Sequence, residues 1–376
     1  MRAPQVANVT VTIIGDITFT GPLAADPLGF VQRMDQAMRD LLRGDILLAN
    51  LECILSDTVA PNVRGSGDFP MHGPTRAVEA LRWLGVDAVS LANNHVIDFG
   101  PAGVESTGAA LKAAGIAHFG VGTLAEAGEP CVIERGGLRI GLLGFGGSLV
   151  PKRRRVGSIP LDWPQARRAI ARTKERCDRV IVYFHEGIEA LNYPMKRTVA
   201  GCHGAVEAGA DLVVGAHPHT IQGIERYRGV PIAYSLGNFI MPTLDSSGYA
   251  DWLSKTTLTR LGIEFPKSLI AKQLVLRCTL SREGVEVQGT PILAEESGLP
   301  RLPTPAEAPA EEAFFKQLCE AFLHPEDPAW QQRDEIERGH YRVLRGNITP
   351  GFLLSRLHRL RWRHIAWYLK TLWQDR

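Results

Sequence analysis

The sequence predicts an α/β fold, a sandwich built on a mixed sheet. Three observations carry that reading: β-branched runs alternate with stretches of helical spacing, most runs end in glycine or polar residues, and two late runs pair across a tight turn.

In chain order, the run from Val9 to Ile14 ends at Gly15-Asp16, and Asp45 to Ala49 is a second short apolar run ending at Asn50-Leu51-Glu52. Pro74 to Leu84 has helical spacing and stops at Gly85, after which Val86 to Leu91 reads as a strand delivering Asn93-Asn94-His95. Ala102 to Ala114 is helical and closes at Gly115; Ile116 to Phe119 and Leu138 to Gly144 are strands. Pro164 to Arg176 forms a basic helix, Val180 to Phe184 a strand emptying into His185, and Lys196 to Ala208 a helix closing at Gly209. Leu212 to Val214 empties into His217-Pro218-His219, and Ile232 to Leu236 into Gly237-Asn238. Gln273 to Leu280 and Gly284 to Gln288 form an antiparallel hairpin.

The chain of 376 residues is long enough for one large core and an appendage. Residues 1–297 are expected to be a catalytic domain, residues 298–309, with four prolines, a linker, and residues 310–376 a C-terminal helical extension. The extension begins with an amphipathic helix, Ala310 to Leu323. It ends in the segment from Gly351 to Trp373, where Leu353, Leu357 and Leu360 share a face crowded by arginines and three tryptophans follow. Such a helix either docks on the chain's own core or makes a peripheral contact with an anionic membrane.

Apolar residues at 45% and charged residues at 22% exclude a disordered or collagen-like chain, and a net charge of +2 gives no general attraction to nucleic acid. The six cysteines stand singly, without a CxxC pair, which excludes a zinc ribbon and suits reduced thiols in a cytoplasmic protein. The first residues carry no apolar stretch and no window has the roughly 18 apolar residues of a membrane span, so the chain is expected to be neither secreted nor threaded through a bilayer.

Strands of an open α/β sheet present functional groups beyond their carboxyl ends, so residues just after different strands converge on one crevice. Here these are Asp16, Glu52, Asn94 with His95, His185, and His217 with His219. Any one histidine after a strand is as easily a surface or core residue. Together, two carboxylates, an amide oxygen and neutral imidazoles suit divalent zinc, manganese or iron. Six candidate ligands and one further histidine exceed the needs of a single ion with an open position, so two ions sharing a carboxylate and clamping a phosphoryl or carbonyl oxygen are expected. His-X-His at 217 and 219 would present both rings to one side of an extended segment. Gly15, Gly215 and Gly237 would let backbone approach the ions.

The motifs Gly15-Asp16, Asn50-Leu51-Glu52, Asn93-Asn94-His95-Val96-Ile97-Asp98-Phe99-Gly100, His185-Glu186-Gly187-Ile188-Glu189, Gly215-Ala216-His217-Pro218-His219 and Ser235-Leu236-Gly237-Asn238-Phe239 stand in one order from about Val9 to Pro291. In that order they resemble the CapA, or poly-γ-glutamate capsule-biosynthesis, family of the calcineurin-like metallophosphoesterase superfamily. The resemblance implies a four-layer α/β/β/α sandwich. It also implies that Asp16 and His219 bind a first ion, that Asn94, His185 and His217 hold a second, and that Glu52 bridges them. His95 would protonate a leaving group, with Asp98 orienting its ring. Two departures stand out: Thr18 occupies the place of the usual histidine two residues after the aspartate, and Glu186 follows His185 where tryptophan is common.

The function so implied is metal-dependent work on a phosphoester or on a glutamyl or other amide bond, by hydrolysis or amide-forming transfer. The other class is a non-catalytic scaffold subunit of a polymer-synthesising complex. The substrate is expected to be an anionic small molecule or glutamyl compound, held by Arg153 and Arg155 of a basic loop together with Glu189, Asn238 and His72. A second copy of the chain is admitted as a partner, in a homodimer.

Overall fold

The computed structural model describes residues 8–58, 70–146, 156–242, 257–263 and 268–346. Arg153, Arg155 and the segment from Gly351 to Trp373 lie outside the described residues. The first strands are β1 (Val9–Ile17), β2 (Ile46–Leu51), β3 (Ile54–Leu55), β4 (His72–Gly73), β5 (Ala88–Ser90), β6 (Ala117–Phe119), β7 (Cys131–Arg135) and β8 (Leu138–Gly146). There follow β9 (Arg179–His185), β10 (Leu212–Ala216), β11 (Ile224–Tyr227), β12 (Val230–Ala233), β13 (Asn238–Ile240), β14 (Lys272–Leu280), β15 (Val285–Ala294) and β16 (Pro300–Arg301).

Among the described residues these strands form two large mixed sheets and a short pair, β3 with β4. One sheet is ordered β16-β15-β14-β1-β2-β5-β6 with β13 beside β1, the other β11-β12-β10-β9-β8-β7. In the first, β1, β2, β5 and β6 run parallel; in the second, β8, β9, β10 and β12 do.

Side-chain alternation builds the layers. Along β1, Val9, Val11 and Ile13 face the second sheet, whereas Ile14 and Ile17 face outward. Along β9, Ile181 and Tyr183 point inward to meet them and Val180, Val182 and Phe184 point outward. Helices α1 (Pro27–Gln32), α2 (Gln36–Leu42), α3 (Ala77–Leu84) and α4 (Gly100–Ala113) cover the first sheet. The second is covered by α5 (Pro164–Lys174) and α6 (Lys196–Glu207). The result is the expected four layers, α/β/β/α, with an apolar core between the sheets and another beneath each helical layer.

Two local features aim the site. Between β1 and β2 the register runs Ile13↔Leu48 and then Asp16↔Asn50, three residues against two, so β1 carries a bulge just before Asp16. After β12 the chain leaves the second sheet, turns through Gly237 at φ 69° and enters β13 beside β1 of the first. The glycines expected to admit ions instead admit backbone: a Cβ on Gly15 would lie 1.9 Å from the Gly237 carbonyl oxygen, and one on Gly215 2.0 Å from that of Tyr234.

Several elements carry little sequence signal. β7 is a half-exposed edge strand without alternation, joined to β8 through Gly136 and Gly137, both at positive φ, the geometry of a two-residue hairpin turn. The short helices α1 and α2 are fixed by caps, Asp26 accepting from Gly29 N at 2.9 Å and Asp35 from Met38 N at 2.7 Å.

Toward the C-terminus, β16 lies within the segment read as a linker and pairs with β15. The helix Ala308–Glu320 then packs on β15 and β11, one strand from each sheet. Its Leu318, with Phe314 and Phe315 beside it, closes the core between the sheets, and Cys319 Sγ accepts the amide of Ile224 at 3.3 Å. Among the described residues no helix is long and apolar enough to cross a membrane. Replacing the buried Leu318 by alanine is expected to lower stability by about 2–5 kcal/mol, read from the chemical denaturation midpoint; a loss under about 1 kcal/mol would show that this helix contributes little to the core.

Candidate metal centre

The carboxyl ends of parallel strands from both sheets meet at one rim. β1 brings Asp16, the residue after β2 is Glu52, the turn after β5 brings Asn93, Asn94 and His95, β9 ends at His185, and β10 leads into His217 and His219. Asp16, Glu52, His185 and His219 are buried.

Two groups of side chains converge there, each with its ligand atoms within 4.8 Å of one another: Glu52 with His185 and His217, and Asp16 with Glu52 and His219. Glu52 belongs to both. His185 Nε2 lies 2.8 Å from Asn94 Oδ1, 3.2 Å from Glu52 Oε1 and 3.2 Å from His217 Nδ1. His219 approaches Asp16 Oδ2 at 3.7 Å and Glu52 Oε1 at 3.8 Å. Four atoms that each offer a lone pair thus crowd around one point, and a single imidazole proton cannot satisfy them all.

Among the described residues neither buried oxygen of Glu52 has a well-formed hydrogen bond; His185 Nε2 stands 3.2 Å from Oε1. A carboxylate removed from water with no donor is costly unless a cation compensates it. Orphaned carboxylate oxygens shared between two nitrogen- and oxygen-rich groups therefore fit divalent metal, which Asp16, Glu52 and His219, and Glu52, Asn94, His185 and His217, would hold.

The two carboxylates respond oppositely to this setting. Burial, and then the charge of Glu52, hold Asp16 well above the usual carboxylate range. Burial pushes Glu52 the same way, but His219 and His185 facing it pull it below that range. Burial keeps His185 below the ordinary histidine value, and burial together with His185 and His219 keeps His217 well below it. Both rings thus stay neutral, as ligands must.

Backbone conformation at the histidines differs from the extended segment expected. His217 and His219 have φ of 99° and 56°, left-handed values that non-glycine residues adopt only under constraint, and the rings go to different groups with centroids 6.1 Å apart.

His95 stands beside the groups. Its Nδ1 is 2.7 Å from Asp98 Oδ2, and that same oxygen accepts the Met71 amide at 2.8 Å, which fixes Asp98 beneath the ring. Burial disfavours the charged ring, yet the Asp98 hydrogen bond and the nearby charges of Glu52, Asp98 and Glu189 raise its pKa.

Of the residues expected to face substrate, Glu189 is near enough to act on His95, and Asn238 Oδ1 lies 2.8 Å from His219 Nδ1, where it orients that ring. His72 contacts the carbonyl of Ser56 at 2.9 Å and the ring of Phe99. Thr18 is fully buried. Motif reasoning passed over two neighbours. Asn50 Nδ2 donates to Asp16 Oδ1 at 2.7 Å and lies 3.2 Å from His185 Nδ1, while Asn93 Nδ2 reaches Asn50 Oδ1 at 3.3 Å and its Oδ1 accepts the His95 amide at 3.1 Å. Their only sequence signal is their position beside the ligands in the same motifs.

The stretch of chain that builds this rim is also the one shared with known proteins. Residues 10–243 match the family model described as bacterial capsule synthesis protein PGA_cap. The capsule biosynthesis protein CapA of Bacillus anthracis is 33% identical over 172 residues, 43% of this chain and 42% of that one. The PGA biosynthesis protein CapA of Bacillus subtilis strain 168 is 32% identical over 170 residues, 44% and 45% of the two chains. A probable polyglutamine synthesis accessory protein of Mycobacterium tuberculosis is 31% identical over 249 residues, 61% and 65% of the two chains. Each match thus spans less than two thirds of the relative's length. Among solved structures, TT1561 of Thermus thermophilus aligns over 75% of this chain and 99% of its own, at 13% identity and a TM-score of 0.40.

Two outcomes follow from this geometry. Glycine adopts φ near 99° freely, so His217→Gly is expected to release a strain of roughly 1–3 kcal/mol and keep the fold, while elemental analysis finds less bound metal; retention of metal at the wild-type level would remove His217 from the ligands. The neutral folded rings of His185 and His217 resist protons that the unfolded chain accepts near pH 6.5, so their stability is complete above about pH 6.5 and declines as pH falls. As pH falls from about 7.5 to about 5.5, the denaturation midpoint of metal-free protein should therefore lose ground relative to that of a His185→Gln, His217→Gln double variant, in which the opposing contributions of Asp16 and His95 remain.

Proposed function

Because the chain belongs to the bacterial capsule synthesis protein PGA_cap family, we propose that it is a metal-dependent enzyme acting on a phosphoester or a glutamyl amide bond in the making or trimming of a poly-γ-glutamate or related polymer. The observation that carries this reading is Glu52: a fully buried carboxylate with no well-formed hydrogen bond among the described residues, common to two clusters of nitrogen and oxygen donors. Divalent manganese, zinc or iron, each suited to such mixed donors, would supply there the positive charge that polarises a phosphoryl or carbonyl oxygen and brings water's pKa toward neutrality.

The chain's own residues prepare the site. Asn50 and Asn238 orient Asp16, His185 and His219, so the donors are set before substrate arrives. His95, with Nδ1 held by Asp98, has only Nε2 left for proton transfer to a leaving group, and the Asp98 hydrogen bond favours its protonated ring. Glu189 beside it adds a carboxylate to the site's edge, which favours substrates bearing an amine or a neutral amide there over a bare anion at that spot. Reduced thiols at all six cysteines suit a cytoplasmic location.

A non-catalytic accessory role is the second reading, favoured by the accessory designation of the mycobacterial relatives. It predicts no turnover with the ions present. The deciding comparison is an assay of a model phosphodiester and a γ-glutamyl amide side by side, with manganese or zinc added and bound metal measured. His95→Ala is expected to keep its metal and to lose about 10²–10⁴-fold in turnover; an unchanged rate would take His95 out of the chemistry, and absence of turnover in wild-type protein carrying both ions would favour the accessory role.

A further inference from the structure

The loop that follows His185, residues 186–195, has two faces, and each is fastened to something different. On the inner face it grips the segment carrying the paired histidines. The Ala190 amide donates to the Pro218 carbonyl at 2.7 Å, Asn192 Nδ2 donates to Thr220 Oγ1 at 2.8 Å and to the Ile221 carbonyl at 3.0 Å, and Gln222 Nε2 donates to the Leu191 carbonyl at 2.7 Å. Gly187 lies so close to Pro218 that a Cβ would fall 2.8 Å from its Cγ.

On the outer face the helix Pro328–Gly346 docks on the same loop. Ile336 joins Ile188, Ala190, Leu191, Met195 and Leu258 in an apolar cluster separate from the three main cores. Arg333 is buried, donates to the Pro194 carbonyl and stacks over Trp330 at 4.7 Å, and the Trp330 ring meets Tyr193 edge-on at 5.1 Å. The carboxylate of Glu337 accepts the Lys196 amide at 3.0 Å; it thereby caps α6, whose own N-cap residue, Met195, provides no side-chain acceptor. Asp334 pairs with Lys196 Nζ at 2.5 Å.

Left-handed backbone at Ala190, His217 and His219 persists only where the surroundings over-determine it. The loop supplies that constraint from one side, and the helix holds the loop from the other. We propose that helix Pro328–Gly346, which lies outside the family-matched region, is part of the metal centre's scaffold. Arg333, Ile336 and Glu337 are positioning residues that act through residues 186–195 to hold His217 and His219 in ligand geometry. The consequence for metal affinity rests on the metal-dependent reading given above; the mechanical part does not.

Hydrogen–deuterium exchange and manganese or zinc titration on the full chain test it. Arg333→Met and Glu337→Met, which removes the acceptor of the Lys196 amide, are expected to speed amide exchange in residues 186–195 and 216–222 while β8 and β9 stay protected. The metal dissociation constant should rise about two- to thirtyfold, and Arg333→Lys, which keeps a donor for Pro194, should recover part of both effects. Faster exchange in residues 328–346 and 186–195 with exchange in 216–222 and metal affinity at wild-type values would overturn the proposal. Should Arg333→Met lose protection in β8 and β9 as well, Glu337→Met alone decides by the same readouts. Wild-type protein that takes up no metal would defeat the metal-centre reading, and the exchange comparison at 216–222 would still decide this one.

Discussion

The structure depends on one electrostatic constraint: two carboxylates are buried at the rim where the sheets meet, and one of them, Glu52, has no well-formed hydrogen bond among the described residues. Burying such a group without compensation works against folding. The surrounding residues divide the problem unequally. Asp16 receives the Asn50 amide and the His217 backbone amide, at 2.7 and 3.3 Å, while Glu52 is left facing imidazoles. A site so arranged suits divalent cations, and its polar neighbours orient the groups that would hold them.

That arrangement is possible only because two separate sheets contribute to it. The first supplies both carboxylates and the Asn93-Asn94-His95 turn; the second supplies three of the imidazoles. The inter-sheet core of Val11, Ile13, Leu48, Tyr183 and Val214 thus sets the distance between the carboxylates and the imidazoles as well as the stability of the fold. β13 strengthens that link, because the chain passes there from one sheet to the other and carries Asn238 to the ring of His219.

Much of this is legible in the residues alone, for a physical reason. Buried parallel strands read as short β-branched runs, and the polar residue at the end of each stands out against them; that is why Asp16, Glu52, His185 and His217 can be picked as neighbours despite lying far apart in the chain. Elements at the periphery are harder. β7 shows no alternation because it is an edge, α1 and α2 are too short to display a period, and the helix Pro328–Gly346 is so polar that its docking residues, Arg333 and Glu337, look like solvent-facing charges. Left-handed backbone at His217 and His219 has no signal in residue types at all, since it is imposed by contacts from elsewhere.

The bulge in β1 has a consequence for how the chain tolerates length changes. Side chains on a strand alternate, so the extra residue between Ile13 and Asp16 shifts the phase of everything after it. Without that offset the Asp16 carboxylate would belong to the helical layer instead of the cleft, and the same aspartate would be chemically mute. Aim, at this position, is a matter of counting: one peptide unit decides which side of the sheet an unchanged sequence addresses.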